Sequence, residues 1–175
     1  MDERIIYSTF ETPIGEMLAA ASSGGLCRLC LPGRRDEFFE WTDRYCDGTP
    51  VREGCDDIIR TVKSQLIEYF EGGRRTFAVQ LDLRGTVFQR SVWHALLQIP
   101  YGSTVSYRDI AVALGNPAAV RAVGQANNKN PIPIIVPCHR VVGKNKKLVG
   151  YGGGLDIKMK LLTLEGIKVG EDSIV

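Results

Sequence analysis

The pattern of apolar and polar positions divides the chain into a strand-rich first part and a helix-rich second part. Short runs of β-branched, aromatic or alternating apolar residues predict strands at 5–10, 17–21, 26–31 and 77–81. Turn residues at 22–25 predict that the second and third of these strands form a hairpin. An apolar stripe at helical spacing predicts a helix from Asp56 to Glu71, and a shorter helix is predicted at 36–47. Residues 48–54 are expected to form a polar connection.

Helical spacing dominates from residue 86 onward. Thr86 and Gln89 have the spacing of a capping box, at the start of a helix that ends before Pro100. Further helices are predicted at three places: 107–114, 118–127 and 156–165. A tight turn at 115–117 separates the first two of these, and this arrangement predicts a helix-turn-helix.

Composition and charge narrow the possible classes of protein. A chain of 175 residues with 44% hydrophobic and 24% charged residues is typical of one large or two small globular domains. Residues 1–85 carry 11 basic and 15 acidic side chains, whereas residues 86–175 carry 11 and 5, so the second part favours a polyanion such as nucleic acid. No apolar run reaches the roughly 20 residues of a membrane span. Residues 1–4 lack the apolar core of a signal peptide, which predicts a cytoplasmic protein.

Cys138 and His139, at the end of the apolar run 131–136, are the main candidates for chemistry. The thiolate is the reactive form of cysteine, and a neighbouring His or Arg favours it. The run predicts a buried extended segment that holds Cys138 rigidly, and its two prolines argue against a helix or a central strand. The alternative is an inert core cysteine. Glu165, at the end of an apolar helix face, either orients His139 or is a solvated helix end.

Four further cysteines raise the question of metal binding and disulfides: Cys27, Cys30, Cys46 and Cys55. The spacing of Cys27 and Cys30 suits a metal site, but there is no second such pair and the chain has only two histidines. We therefore expect no metal site. A reducing compartment disfavours disulfides, but the sequence leaves the pairing of these four cysteines open.

The predicted helix-turn-helix has two features that suit DNA. Its second helix carries one cation, Arg121, among small residues that allow close approach to a duplex. Tyr107 begins the first helix, where main-chain amides and a phenol are able to bind a phosphate. The alternative is an ordinary helical hairpin on which Arg121 is a solvated surface residue.

The second half contains several short sequence motifs. Their order and spacing along the chain identify a protein family more specifically than any single motif does. The most distinctive is Pro-Cys-His-Arg-Val-Val at 137–142. The accompanying blocks lie at 101–102, 105–107, 121–124, 130–131, 150–155 and 164–166. Together they resemble the O6-alkylguanine-DNA alkyltransferases. The first half resembles this family more loosely, at 12–15 and 25–26.

This resemblance implies an α/β (α+β) fold with two domains. Residues 1–85 are expected to form a ribonuclease-H-like α/β structural domain, and residues 86–175 a mainly helical, winged-helix-like domain for DNA binding and alkyl transfer. The implied function is repair of double-stranded DNA by single-turnover transfer of the alkyl group from O6-alkylguanine, and less well from O4-alkylthymine, to the protein's own cysteine. Minor-groove binding and flipping of the base come first, since the alkyl group cannot be reached inside the duplex. No cofactor is implied, and the protein is expected to act as a monomer without a membrane partner.

The resemblance also implies catalytic roles. Cys138 is the nucleophile. Glu165 orients His139, which takes the thiol proton through a water. Tyr107 helps to rotate the 3′ phosphate and donates a hydrogen bond to the purine, and Asn130 bridges the helix-turn-helix and the active-site turn.

Two further sets of residues follow from the same resemblance. The DNA-binding set contains Arg121, which fills the gap left by the flipped nucleotide, and six others: Tyr107, Asn116, Ala119, Ala122, Gly124 and Gln125. The substrate pocket is lined by Pro133, Cys138, Val141, Tyr151, Gly152 and Gly153. Carbonyls of Cys138 and Val141 are expected to accept from the guanine amino group.

Two departures and three rivals bear on this interpretation. Gly152 stands where many relatives carry serine, so tolerance for bulky alkyl groups is expected to differ. The zinc ligands of some relatives' N-terminal domains are absent. A non-catalytic protein that binds alkylated bases is the main alternative, although such proteins replace the cysteine. A transcription factor would need more base-reading side chains on the second helix, and a Cys-His hydrolase would turn over repeatedly without DNA.

Overall fold

A computed structural model describes residues 4–175. Residues 1–3, on which part of the argument against secretion rests, lie outside the described residues. The chain divides between Gly85 and Thr86 into two units, Met1–Gly85 and Thr86–Val175. The predicted fold class is confirmed, since the first unit is built on a sheet and the second is mainly helical.

A four-stranded sheet of order β3-β2-β1-β4 forms the first unit. Its strands are β1 (Ile5–Thr12), β2 (Gly15–Ser22), β3 (Gly25–Cys30) and β4 (Val51–Glu53). The predicted hairpin is confirmed as the antiparallel pair β2 and β3. The expectation of a plain connection at 48–54 is wrong, because β4 lies there and pairs in parallel with β1 through Ile5 and Val51. Its three residues, two of them exposed, have no strand-like pattern, and only the free edge of β1 makes them a strand.

Two helices pack beside this sheet: α1 (Asp36–Tyr45) and α2 (Asp57–Phe70). The predicted start of α2 is confirmed, because the Asp56 carboxylate accepts from the Ile59 amide at 2.9 Å. Phe38 and Trp41 of α1 join Cys27 and Cys30 in one buried apolar cluster. Both cysteines therefore serve packing, and burial raises the pKa of the Cys27 thiol to about 12.

The strand predicted at 77–81 does not form. The amide side chain of Gln65 binds the main chain of Ala78 on both sides, at 2.9 Å to its N–H and 3.2 Å to its carbonyl. Beyond it, only an isolated bridge between Leu26 and Leu81 connects the segment to β3. At Ala78 the Gln65 side chain of α2 thus makes the hydrogen bonds that a partner strand would make. The apolar residues of 77–81 give no indication of this.

The second unit contains four helices: α3 (Val87–Leu96), α4 (Tyr107–Ala113), α5 (Val120–Asn128) and α6 (Leu155–Leu164). The capping box of Thr86 and Gln89 is confirmed. Strands β5 (Val105–Ser106) and β6 (Val141–Val142) form a short parallel pair that joins the start of α4 to the segment after Cys138. The helices α4 and α5 pack together as the predicted helix-turn-helix, and the Trp93 indole of α3 donates to the Ala126 carbonyl of α5 at 2.8 Å.

All five cysteines are free thiols, four of them buried and Cys55 exposed. Among residues 4–175, no cluster of three or more His, Cys, Asp or Glu side chains is arranged to hold a metal ion. Within the same range, every helix is too short or too polar to cross a membrane.

Candidate active site

Asn130 shapes the turn that leads to Cys138. Its side-chain amide donates to the Val136 carbonyl at 2.7 Å, and its carbonyl oxygen accepts from the Ile132 amide at 3.0 Å. Between these contacts Ile134 has a φ of 74°, a left-handed conformation that costs a β-branched residue roughly 1–3 kcal/mol. The segment 131–136 is buried as predicted but not extended, because these hydrogen bonds and the Val136 amide bond to Ile132 fold it into a compact turn.

Cys138 begins a 3-10 turn, Cys138–Arg140, and its side chain is almost fully buried. Burial raises the pKa of the thiol, because a low-dielectric surrounding disfavours the thiolate. Four influences act in the opposite direction and lower this pKa: the Asn130 side chain, the positive charge of Lys158, the main chain of Cys138 itself and the Tyr151 hydroxyl. The net result is a protonated thiol whose anion already has polar partners, so a base is needed to form it.

His139 and Glu165 form a buried pair. The His139 Nε2 atom lies 2.7 Å from Glu165 Oε1, and both side chains are 0% exposed. The other ring nitrogen, Nδ1, has no hydrogen-bond partner among the protein atoms of residues 4–175. Burial lowers the pKa of His139, and this outweighs the opposite influence of Glu165. The imidazole is therefore neutral, with Nε2 donating to the carboxylate and Nδ1 able to accept a proton.

Arg140 binds the same carboxylate and was not singled out from the sequence. Its Nε donates to Glu165 Oε2 at 2.8 Å and its Nη2 to Oε1 at 3.0 Å, while Nη1 donates to the Ile99 carbonyl at 2.7 Å. The Gly102 amide adds a 3.2 Å hydrogen bond to Oε2. Burial alone would raise the pKa of Glu165, but hydrogen bonds from His139 and Arg140 lower it to about 2. Glu165 is thus a fixed carboxylate, and its interpretation as a solvated helix end is wrong.

Tyr107 begins α4, and its phenol is electrostatically coupled to the Cys138 thiol. Burial raises the pKa of its phenol, and the nearby Cys138 adds to this effect, whereas a hydrogen bond with Asn127 opposes it. The phenol is therefore protonated and able to donate. Asn127 is buried on α5 and escaped sequence analysis, since an asparagine inside a small-residue helix has no local signature. The Tyr107 ring lies over Gly124, where an added Cβ would come within 3.9 Å of it.

The amides at the start of α4 are less available to a phosphate than the sequence suggested. The Asp109 amide donates to the Ser106 hydroxyl at 3.1 Å, and the Asp109 carboxylate accepts from the Ser106 amide at 2.7 Å. The carboxylate is held ionised, since its hydrogen bonds to Ser106 lower its pKa. A negative charge at this position disfavours phosphate, so any phosphate contact of this helix has to involve side chains such as that of Tyr107.

Six of the predicted DNA-binding residues lie on α5 or in the turn before it. Arg121, Ala122 and Gln125 are exposed on α5, whereas Val123 and Ala126 on its other side are buried. Two further members lie in the preceding turn: Asn116, which is exposed, and Ala119, which is half-buried. Within α5, Arg121 is the one cation and stands among the small residues Ala122, Gly124 and Ala126.

Of the predicted pocket residues, Cys138 begins the 3-10 turn and Val141 directly follows it. The Cys138 carbonyl accepts from the Val141 amide, and the Val141 carbonyl accepts from the Lys158 ammonium at 2.6 Å. Each carbonyl has a second lone pair, so both remain able to accept from a ligand. Pro133 is buried in the compact turn and Tyr151 is half-buried. Gly152 and Gly153 belong to the turn that precedes α6, where the Gly154 amide donates to the Tyr151 carbonyl at 2.9 Å.

A helix-turn-helix beside a buried Cys-His-Glu constellation defines a class of DNA-binding protein with a cysteine nucleophile, and comparison with known proteins agrees. The family model "6-O-methylguanine DNA methyltransferase, DNA binding domain" matches residues 87–167. The model "6-O-methylguanine DNA methyltransferase, ribonuclease-like domain" matches residues 5–83. The chain therefore belongs to the 6-O-methylguanine DNA methyltransferase family, which confirms the resemblance found in the sequence.

Individual relatives cover nearly the whole chain. The constitutive methylated-DNA–protein-cysteine methyltransferase of Bacillus subtilis is 46% identical over 166 residues, which are 94% of this chain and 98% of that protein. The methylated-DNA–protein-cysteine methyltransferase of Mycobacterium leprae is 61% identical over 160 residues, 90% of each chain. Among solved structures, Mycobacterium tuberculosis OGT in complex with DNA superimposes with a TM-score of 0.77 at 45% identity, over 91% of this chain and 92% of that one.

Proposed function

We propose that this protein repairs O6-alkylguanine in duplex DNA by transferring the alkyl group to Cys138 in a single turnover. The observation that carries this proposal is the buried 2.7 Å contact between His139 and Glu165 directly beside Cys138. It leaves one imidazole nitrogen to act as a base for a thiol that burial keeps protonated. Family membership and the DNA-bound structure of a relative support the same reaction.

The reaction is an in-line displacement at the alkyl carbon. His139 Nδ1 takes the Cys138 proton through a water, and Glu165 stabilises the imidazolium that forms. The sulfur–carbon bond forms as the bond from carbon to guanine O6 breaks, and the electron pair remains on the guanine. Tyr107 donates a hydrogen bond to the purine and so reduces the charge that develops on the leaving ring. The proton returns to guanine, and the thioether product is stable, so each molecule acts once.

The helix-turn-helix supplies access to the base. We infer that Arg121 enters the base stack from the minor groove when the damaged nucleotide is flipped, and that Ala122 allows the helix to approach the sugar–phosphate backbone closely. Exposure of both residues on α5 supports this assignment. The set of Asn116, Ala119, Gly124 and Gln125 is assigned to the same interface.

The remaining assignments concern the whole chain. The site residues from Tyr107 to Glu165 all belong to the second unit, which supports Thr86–Val175 as the DNA-binding and transfer domain and Met1–Gly85 as a structural domain. A single chain supplies every one of these residues, which supports action as a monomer. A DNA substrate together with five free thiols supports a cytoplasmic location. O4-alkylthymine is assigned as a poorer substrate of the same pocket.

Intact-protein mass spectrometry tests the proposal. The protein is mixed with excess duplex that contains one O6-methylguanine, alongside two variants, Cys138→Ala and Cys55→Ala. We expect the wild type and Cys55→Ala to gain one methylene mass per molecule and Cys138→Ala to gain none. If the protein binds the DNA but gains no mass, the proposed transfer is wrong and the protein is a non-catalytic lesion-binding protein. If the protein neither binds this DNA nor gains mass, a Cys-His hydrolase becomes the better interpretation.

A further inference from the structure

The turn between α3 and β5, at residues 99–102, contacts both members of the buried ion pair between Arg140 and Glu165. The Ile99 carbonyl accepts from Arg140 Nη1 at 2.7 Å, and the Gly102 amide donates to Glu165 Oε2 at 3.2 Å. These two main-chain groups belong to one short segment, whereas Arg140 and Glu165 come from two other parts of the chain. The turn therefore joins the two charged side chains at a single place.

Tyr101 contacts the same ion pair through its side chain, and the proposed reaction does not use it. Its ring faces the Arg140 guanidinium, whose Cζ atom lies 5.8 Å from the ring centre. A cation at this distance is attracted to the electrons of an aromatic face. The Tyr101 hydroxyl donates to the Leu164 carbonyl at 3.0 Å, and Leu164 directly precedes Glu165 at the end of α6. One half-buried side chain thus contacts both the arginine and the main chain that carries the glutamate.

Gly102 shows how closely this turn is packed against the end of α6. Its φ is 74°, a conformation that glycine adopts without strain, and a Cβ added there would lie 3.1 Å from the Glu165 carbonyl oxygen. Because the two segments are in direct contact, a turn that shifts either moves the helix end with it or loses its hydrogen bond to Glu165.

The position of the Glu165 carboxylate decides which nitrogen of His139 carries the proton. Its Oε1 atom lies 2.7 Å from His139 Nε2 and also accepts from Arg140 Nη2 at 3.0 Å. An imidazole nitrogen that donates to a carboxylate keeps its proton, and the other nitrogen then keeps its lone pair. That other nitrogen, Nδ1, is the base in the proposed reaction. If the carboxylate turns away, some of the molecules carry the proton on Nδ1 and have lost the base.

We propose that Tyr101 is a positioning residue: its ring holds the Arg140 guanidinium, and its hydroxyl holds the end of α6. Both contacts fix the Glu165 carboxylate, which in turn keeps the proton of His139 on Nε2. The effect of Tyr101 on the tautomer is independent of the proposed function, because the imidazole has a tautomer with or without DNA. The effect of Tyr101 on the rate of alkyl transfer rests on the proposed function.

The tautomer of His139 is measured by NMR at pH 8, without DNA, on protein labelled with nitrogen-15 at histidine. The chain has only two histidines, and the exposed His94 gives an internal reference signal. Spectra are recorded for the wild type, Tyr101→Phe, Tyr101→Leu and Tyr45→Leu. Tyr45 is a half-buried tyrosine of the first unit, so Tyr45→Leu makes the same change at matched burial outside the second unit. Urea unfolding gives the stability of each variant, and rapid-quench measurement gives its rate of methyl transfer from duplex DNA.

We expect His139 of the wild type to carry its proton on Nε2 alone. Tyr101→Leu loses both contacts and should show both tautomers, with methyl transfer slower by roughly tenfold or more, as for other small displacements of a catalytic group. Tyr101→Phe keeps the ring beside Arg140 and should lie between the wild type and Tyr101→Leu in both measurements. Tyr45→Leu should match the wild type in tautomer and in rate, whatever its loss of stability.

Two results would overturn the proposal. A folded Tyr101→Leu with the His139 proton on Nε2 alone would limit Tyr101 to a contribution to stability. A change of tautomer in Tyr45→Leu as large as that in Tyr101→Leu would show that the tautomer follows overall stability. If Tyr101→Leu does not fold, Tyr101→Phe decides: mixed tautomers support the proposal, and a proton on Nε2 alone overturns it.

Failure of this proposal is distinguishable from failure of the proposed function. A wild type that gains a methylene mass from DNA, combined with an unchanged tautomer in the Tyr101 variants, would reject only the positioning role. A wild type that gains no mass, combined with mixed tautomers in those variants, would keep the positioning role and reject the proposed function.

Discussion

Arg140 donates to both carboxylate oxygens of Glu165, at 2.8 and 3.0 Å, and His139 shares one of these oxygens. The Glu165 carboxylate thus binds the Arg140 guanidinium and the His139 imidazole at the same time. Its charge is compensated by the arginine, and for this reason it orients the imidazole without also forcing a proton onto it. The arginine lowers the pKa of His139, in addition to the larger effect of burial.

Arg140→Met is expected to make His139 a poorer base at neutral pH. Without the arginine the uncompensated carboxylate raises the pKa of His139, so that the imidazole holds a proton and cannot take the one from Cys138. We expect the midpoint of the pH profile to move upward, and transfer at pH 7 to slow by roughly tenfold for each unit by which the pKa of His139 then exceeds 7. Rapid-quench measurement of transfer between pH 6 and 9 checks this. Arg140→Lys keeps the charge and should show a smaller shift, and identical profiles for all three proteins would contradict the argument.

Acid is expected to destabilise the protein through the same pair. The pKa of Glu165 is about 2 in the folded state against 4.5 ordinarily, so its contribution is complete above about pH 4.5 and is lost as the pH falls towards 2. This difference in pKa corresponds to a contribution of roughly 3 kcal/mol to the free energy of unfolding. His139 acts in the same direction at higher pH, because its folded pKa lies below 6.5 and the unfolded chain takes up a proton as the pH falls through that value. Urea unfolding at pH 7, 5 and 3 should show decreasing free energies of unfolding, and a smaller decrease in Glu165→Gln.

Asn130→Ala is expected to loosen the active-site turn. The substitution removes hydrogen bonds to the Val136 carbonyl and the Ile132 amide, both buried, at a cost of roughly 1–3 kcal/mol for each group left unpaired. The strained Ile134 then has less to hold it, and Cys138 loses its fixed position. We expect lower stability in urea and slower transfer. Gln98→Ala, at an exposed amide side chain just after α3, is the control and should alter neither property.

Arg121→Ala is expected to separate base flipping from chemistry. If the arginine stabilises the flipped state, the variant transfers slowly from duplex DNA but reacts at the wild-type rate with free O6-alkylguanine base. Lys63→Ala removes an exposed cation from α2 and should leave both rates unchanged. Equal slowing with duplex and free base would show that Arg121 affects the active site itself and is not confined to the DNA interface.

Local sequence was sufficient for most of the elements and for the nucleophile. The capping boxes at Thr86 and at Ser106 are satisfied within four residues, so their signals are complete in the sequence. Cys138 and His139 are consecutive residues, so their proximity also follows directly from the sequence. Two of the segments that were predicted wrongly, 48–54 and 77–81, depend on partners far along the chain. The segment 48–54 contains a strand because it pairs with β1, and in 77–81 the main chain of Ala78 binds the Gln65 side chain in place of a neighbouring strand.

By itself, then, the sequence determined the helices, the hairpin, the family and the identity of the reacting cysteine, because these depend on residue order over short distances. Only the tertiary structure decided how that cysteine is controlled. Glu165 reaches His139 across 26 residues and Arg140 across 25, while Lys158 reaches the Val141 carbonyl across 17. An arginine and a lysine have no local pattern that distinguishes a solvated charge from a buried one. Folding removes them from water, and their charges then act strongly on the few groups that surround them.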